Sequence, residues 1–185
     1  MRKVIFGINL SLDGCCDHTK MGGDEEIHAY FGQQMREADA LLYGRITYQL
    51  MVPFWTDMAK DLSGTTKYMN DFAQAFAAVR QIVVVSRTLE KGEGENTRII
   101  RGNLKEEILK LKQEQGGDIL LGGVDLPSQL VELDLIDEFR IVVHPAVVGE
   151  GRRLFDGVNL IENLRLKLAN SRVFKSGCVA LEYVK

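Results

Sequence analysis

Two short stretches constrain the fold of this chain more than any others. Ala40-Leu41-Leu42-Tyr43-Gly44-Arg45-Ile46-Thr47-Tyr48 and Asp118-Ile119-Leu120-Leu121-Gly122-Gly123-Val124-Asp125 follow one plan. Each has an apolar run of strand length, then glycine, then a segment able to start a helix. At such a junction the backbone turns sharply with no side chain in the way. The first N–H groups of the helix have no partner within it and face whatever lies in front.

The flanking pattern repeats the alternation. Residues 3–12 read as a strand leading into Asp13-Gly14, and 17–23 as a polar loop. Asp24 is placed to cap a helix, with Glu25 and Glu26 in its first turn and Ile27, Phe31 and Met35 at helical spacing. Pro53-Phe54-Trp55 is expected to break the helix that opens at Arg45 or Ile46, and Thr65 to Val79 predicts another helix. Gln81 to Ser86 reads as a strand buried on both faces, followed by a charged glycine turn over 90–96. Strands follow at Thr97 to Ile100, Asp118 to Leu121 and Ile136 to Val143, with helices at Leu104 to Gln115 and Leu126 to Leu133. After the glycine loop Pro145 to Gly151, two long alternating strands, Leu164 to Phe174 and Cys178 to Val184, are joined by a tight turn. This order predicts a three-layer α/β domain spanning 1–185, its sheet mostly parallel with an antiparallel edge.

Composition narrows the function. Acidic residues number 26 against 23 Lys and Arg, so no global basic field invites nucleic acid. The longest apolar runs are too short to span a bilayer, and Asn9, Ser11 and Asp13 interrupt any signal-peptide pattern, so a cytoplasmic protein with no membrane partner is expected. Three cysteines without a CxxC pair predict neither a disulfide framework nor a metal site. Cys15-Cys16 reads either as a redox pair or as two small residues at a strand end.

Two glycine turns on one sheet can hold the two ends of a pyrophosphate, so a dinucleotide is the first ligand to consider. Gly44 allows close approach, while Arg45 and Thr47 offer a cation and a hydroxyl in one helical turn; the competing reading is a solvated arginine after an ordinary turn. Ser86 and Arg87, at a strand's carboxyl end, suit a phosphomonoester such as the 2′-phosphate of NADP. Gly122-Gly123 suits close backbone approach or simply a tight turn. Asp13 is either a substrate-cleft group that relays a proton or a turn cap. Glu25 faces substrate or balances its helix dipole, and Phe54 with Trp55 form a lip for a planar substrate or a cap on the core. Arg152 and Arg153 steer an anion or rim a dimer contact. His28 and His144 read as structural or surface.

The order of these pieces resembles a known superfamily. SLDG at 11–14, GRITY at 44–48, VVSR at 84–87, LLGG at 120–123 and IDEFRIVVHPAVVGEGRRLF at 136–155 look like dihydrofolate reductase-like proteins. The nearest branch is the C-terminal reductase domain of the riboflavin-biosynthesis deaminase-reductase, and the likeness spans nearly the whole chain. It implies a central sheet of about eight strands with helices on both faces and NADPH lying across it. By motif, Gly44, Arg45 and Thr47 would hold phosphates, Ser86 and Arg87 the 2′-phosphate, and Gly122, Gly123 and Val124 the pyrophosphate and nicotinamide. Asp13 would sit in the substrate cleft. Riboflavin reductases follow the first Asp-Gly with lysine or arginine, whereas Cys15 stands here, so the substrate stays open between pyrimidine- and pterin-like heterocycles or related C=N and C=O compounds. The resemblance implies an oxidoreductase and a homodimer. The alternative is a catalytically weak nucleotide- or ligand-binding protein on the same fold.

Overall fold

The computed structural model describes residues 1–62 and 66–185. Strands are β1 (Val4–Ser11), β2 (Ala40–Gly44), β3 (Gln81–Val85), β4 (Thr97–Ile100), β5 (Ile119–Leu121), β6 (Glu138–His144), β7 (Lys167–Val173) and β8 (Val179–Val184). Helices are α1 (Glu25–Glu37), α2 (Arg45–Asp61), α3 (Lys67–Ala77), α4 (Leu104–Gln113) and α5 (Asp125–Glu132). The predicted start of the third helix, Thr65, lies outside the described residues.

The strands form one eight-stranded sheet in the order β4-β3-β2-β5-β1-β6-β8-β7. β1 to β6 run parallel, and β8 and β7 join antiparallel, as the alternation and the terminal hairpin predict. Period-two alternation along β1 sends Val4 and Phe6 to one face and Ile5 to the other. The first face packs Ile108 and Leu111 of α4 with Leu126 and Leu130 of α5. The second packs Met35 of α1, Tyr48, Val52 and Trp55 of α2, and Phe72 and Phe76 of α3. Helices cover both faces of the sheet, which is why Ile82, Val83 and Val84 of β3 are buried and apolar without alternation.

One local expectation is overturned: Pro53 does not break α2, which runs on to Asp61. An interior proline costs the helix roughly 3 kcal/mol. Tyr48 and Val52 before it and Trp55 after it point into the same core, so both halves are held against α3 and the sheet. Burying each of these side chains returns roughly 1.5–3 kcal/mol, which outweighs the lost hydrogen bond. The terminal strand is also shorter than expected, starting at Lys167 rather than Leu164. Among the described residues, no helix is long and apolar enough to cross a membrane.

Chain order reverses in the middle of the sheet. β2, β3 and β4 march outward, and β5 then returns to fill the gap between β2 and β1. The carboxyl ends of β3, β2 and β5 consequently border a crevice where ligands of parallel sheets collect.

Candidate functional site

The two glycine junctions end up side by side. β2 and β5 are neighbours, with Leu42 opposite Leu121, and the Gly122 N–H donates to the Leu42 carbonyl at 3.2 Å. Gly44 and Gly122 both line a groove of about 200 Å³, together with Arg45, Thr47, Val85 and Asp125. A Cβ at Gly122 would lie 2.8 Å from the Tyr43 ring, and one at Gly123 would collide with the Thr47 hydroxyl. Gly123 also has φ +95°, a conformation L side chains rarely adopt. The cradle is thus kept open by the absence of side chains.

The helix starts reinforce this. Asp24 caps α1 by accepting from the Ile27 N–H at 2.9 Å, and Asn103 caps α4 by accepting from Glu106 N–H at 3.3 Å. α2 and α5 begin at Gly44 and Val124 with no side-chain cap. The first residues of both helices, Arg45 to Thr47 of α2 and Asp125 and Leu126 of α5, line the groove, so the positive ends of two helix dipoles meet there, an arrangement suited to phosphate. Arg45 is exposed at its mouth and donates to Gln49 Oε1 at 2.9 Å.

Ser86 and Arg87 follow directly on Val85, the groove residue at the end of β3. The Ser86 hydroxyl oxygen accepts from the Thr88 and Leu89 N–H groups at 3.2 and 2.9 Å, so it shapes the turn that presents the exposed Arg87. Val124 lies between the cradle and α5.

Asp13 sits where the chain leaves β1, and its carboxylate is fully engaged. Oδ1 accepts from the Ser11 hydroxyl at 2.6 Å and the Val148 N–H at 3.0 Å; Oδ2 accepts from the Gly149 N–H at 2.9 Å and from Arg153 at 3.4 Å. Chiefly the Ser11 hydroxyl, and then the two N–H groups, hold it well below the usual carboxylate range. It therefore fastens the Pro145–Gly151 loop to the end of β1. The loop continues as a short ribbon, with Cys15 bridged to Arg153 and the Cys16 N–H donating to the Arg152 carbonyl at 2.9 Å.

The other expected substrate residues are not gathered into the groove. Glu25 is exposed at the first position of α1. Trp55 is buried, its ring 4.4 Å from Phe72 and 6.2 Å from His28, and caps the core, while Phe54 beside it is exposed. His144 is buried at the end of β6, between Asn9 Oδ1 at 3.1 Å and Cys178 Sγ at 3.4 Å. Its burial holds the imidazole below its ordinary value.

Asp125 and Gln129 also line the groove. Their spacing of four along α5 is the signal that both occupy one helix face. A second cavity, of about 350 Å³, lies at the opposite, amino edge of the sheet. Its charges compensate one another, Arg98 with Glu114 at 2.5 Å and Arg80 with Asp39 at 3.7 Å, so it offers no net charge to a ligand. Among the described residues no cluster of His, Cys, Asp and Glu could hold a metal ion.

Comparison with known proteins agrees with this architecture. The family described as RibD C-terminal domain matches residues 2–180. The uncharacterized protein YyaP of Bacillus subtilis is 33% identical over 181 residues, covering 97% of this chain and 87% of its own. A putative riboflavin biosynthesis protein of a Shewanella species superposes with TM-score 0.71 at 21% identity, with 98% of each chain covered. The diaminohydroxyphosphoribosylaminopyrimidine deaminase/5-amino-6-(5-phosphoribosylamino)uracil reductase of Thermotoga maritima gives 0.69 at 18% identity; 99% of this chain covers 56% of that one.

Proposed function

The chain belongs to the RibD C-terminal domain family, and from that membership we propose that it is an NADPH-dependent reductase. The reading has it transfer a hydride to a small pyrimidine- or pterin-like heterocycle, or to a related C=N or C=O compound. The observation that carries it is the pair of uncapped helix starts on adjacent strands, opening with Arg45 into one groove. Bound NADPH would supply the hydride. Gly44, Arg45, Thr47, Gly122, Gly123 and Val124 would hold its diphosphate, and Ser86 and Arg87 would set the 2′-phosphate site. Asp13 would serve the site by fixing its loop, and the protein's share of catalysis would be chiefly positioning.

Calorimetry tests the cofactor assignment. Arg45→Ala is expected to weaken NADPH and NADH alike, and Arg87→Ala to weaken NADPH with a smaller change for NADH, each by about tenfold or more, the worth of one charge-assisted hydrogen bond. Unchanged NADPH affinity in both variants would remove the clamp. NADPH oxidation with pterins, pyrimidines and dicarbonyls then separates a working reductase from a nucleotide-binding protein.

We further propose a cytoplasmic homodimer formed through β7. All seven of its residues are exposed at the sheet edge. Leu168 pairs with Tyr183, Ser171 with Leu181 and Val173 with Val179, so one face of the hairpin presents a mostly apolar patch. An open edge with exposed Val173 is a template for a second chain. Sedimentation is expected to give a dimer at micromolar concentration and a monomer for Val173→Asp; a monomeric parent chain would refute the assignment.

A further inference from the structure

Asp125 puts a carboxylate into the wall of the groove that, on the reading above, receives a diphosphate. An acid in the first turn of α5 is favourable for the free helix and unfavourable for an incoming anion at the same spot. The charge is answered from a distant part of the chain. Arg152 Nη2 lies 2.5 Å from Asp125 Oδ1, and both side chains are about half exposed.

The arm that delivers Arg152 is built for that reach. Its main chain is pinned on the strand side, where the carbonyl accepts from the Cys16 N–H at 2.9 Å and the Cys16 thiol at 3.1 Å. Leu154 N–H donates to Gly14 at 3.0 Å, and Gly151 (φ +86°) runs so close that a Cβ there would lie 3.1 Å from Cys15 Sγ. With the backbone fixed, only the long, solvent-accessible side chain can move. A guanidinium matches a phosphate as well as a carboxylate, and can pass between them within the reach of one side chain.

We propose that Arg152 is a diphosphate-binding residue of the nucleotide groove, and that Asp125 holds it at the β5–α5 turn until the nucleotide takes it over. Asp125 thereby lowers nucleotide affinity twice, by competing for Arg152 and by repelling the phosphates. The inference rests on the reductase reading and adds the residue that neutralises the second junction, which Gly122 and Gly123 cannot do.

The test is calorimetric titration of the full chain and its variants with NADPH, NADH and ADP-ribose, which share the diphosphate. Arg152→Gln is expected to weaken all three alike, by about tenfold, and Arg152→Lys to recover part of the loss. Asp125→Asn is expected to tighten all three, by about threefold or more. Opposite signs are the signature, since a purely structural ion pair would shift both variants the same way. Thermal melts identify a folding defect, and because both side chains lie at the surface, either variant alone can be read. Affinities within twofold of the parent in both variants overturn the inference and leave the reductase reading standing. A loss confined to NADPH assigns Arg152 to the 2′-phosphate and overturns the diphosphate role. A parent chain that binds none of the three ligands sinks the inference and the reading together.

Discussion

Replacing Gly123 with alanine is expected to abolish nucleotide binding and to lower the melting temperature. Two independent causes act at this residue. Its φ of +95° costs a side chain roughly 1–3 kcal/mol in backbone strain. A Cβ there would also collide with the Thr47 hydroxyl and lie 3.3 Å from the Thr47 Cβ, pushing apart the two junctions that wall the groove. Losing two phosphate contacts at that point corresponds to an affinity fall of about a hundredfold or more. The two causes can be separated. Gly157 has φ +77° and nothing within 4 Å of its would-be Cβ, so Gly157→Ala should show strain without collision and bind nucleotide normally. Adding Thr47→Ala to Gly123→Ala should return part of the stability but little of the binding, since Thr47 is itself proposed to hold phosphate. Calorimetry and thermal melts read both effects, and NADPH binding within threefold of the parent for Gly123→Ala would rule out a cofactor at this turn.

The glycine junctions were legible because their signals are local: an apolar run, a residue without a side chain, and helix-forming residues. Asp24 was legible for the same reason, since a helix cap is decided by residues three apart. Pro53 misled because its local preference is opposed by tertiary packing, with Tyr48, Val52 and Trp55 binding both halves of α2 to one core. That packing also buries Trp55 against Phe72. Asp13 was visible as a turn-forming residue, yet the Val148 and Gly149 N–H groups that saturate it belong to a loop more than a hundred residues away. The Asp125–Arg152 pair has no local signature, because only the insertion of β5 beside β1 brings the start of α5 near the ribbon that follows β6. Contacts made by topology stay hidden where contacts made by short spacing do not.

Asp13 carries the second large expectation. Asp13→Ala removes the acceptor for the Ser11 hydroxyl, the Val148 and Gly149 N–H groups and one arm of Arg153, so the Pro145–Gly151 loop should come away from β1. The melting temperature at pH 7 is expected to fall by roughly 5–10 °C, because several bonds to one charged group are lost together. The pH dependence follows from the lowered pKa. A carboxyl whose folded pKa lies below its unfolded value stabilises the fold above the unfolded pKa, about 4, and loses that contribution as pH falls through the folded value. The stability gap between parent and Asp13→Ala should therefore be full at neutral pH and narrow progressively below about pH 4. Asp13→Asn distinguishes anchor from proton relay. Asparagine keeps one acceptor oxygen but turns an NH₂ toward an N–H donor, so an anchoring role predicts a destabilised protein whose turnover falls in step with loop order. A relay would instead lose turnover with the melting temperature unmoved. Since the same loop carries Arg152 toward the groove, nucleotide affinity should weaken with the melting temperature in both variants, and an Asp13→Ala protein that melts like the parent at pH 7 would show that the loop is held by other contacts.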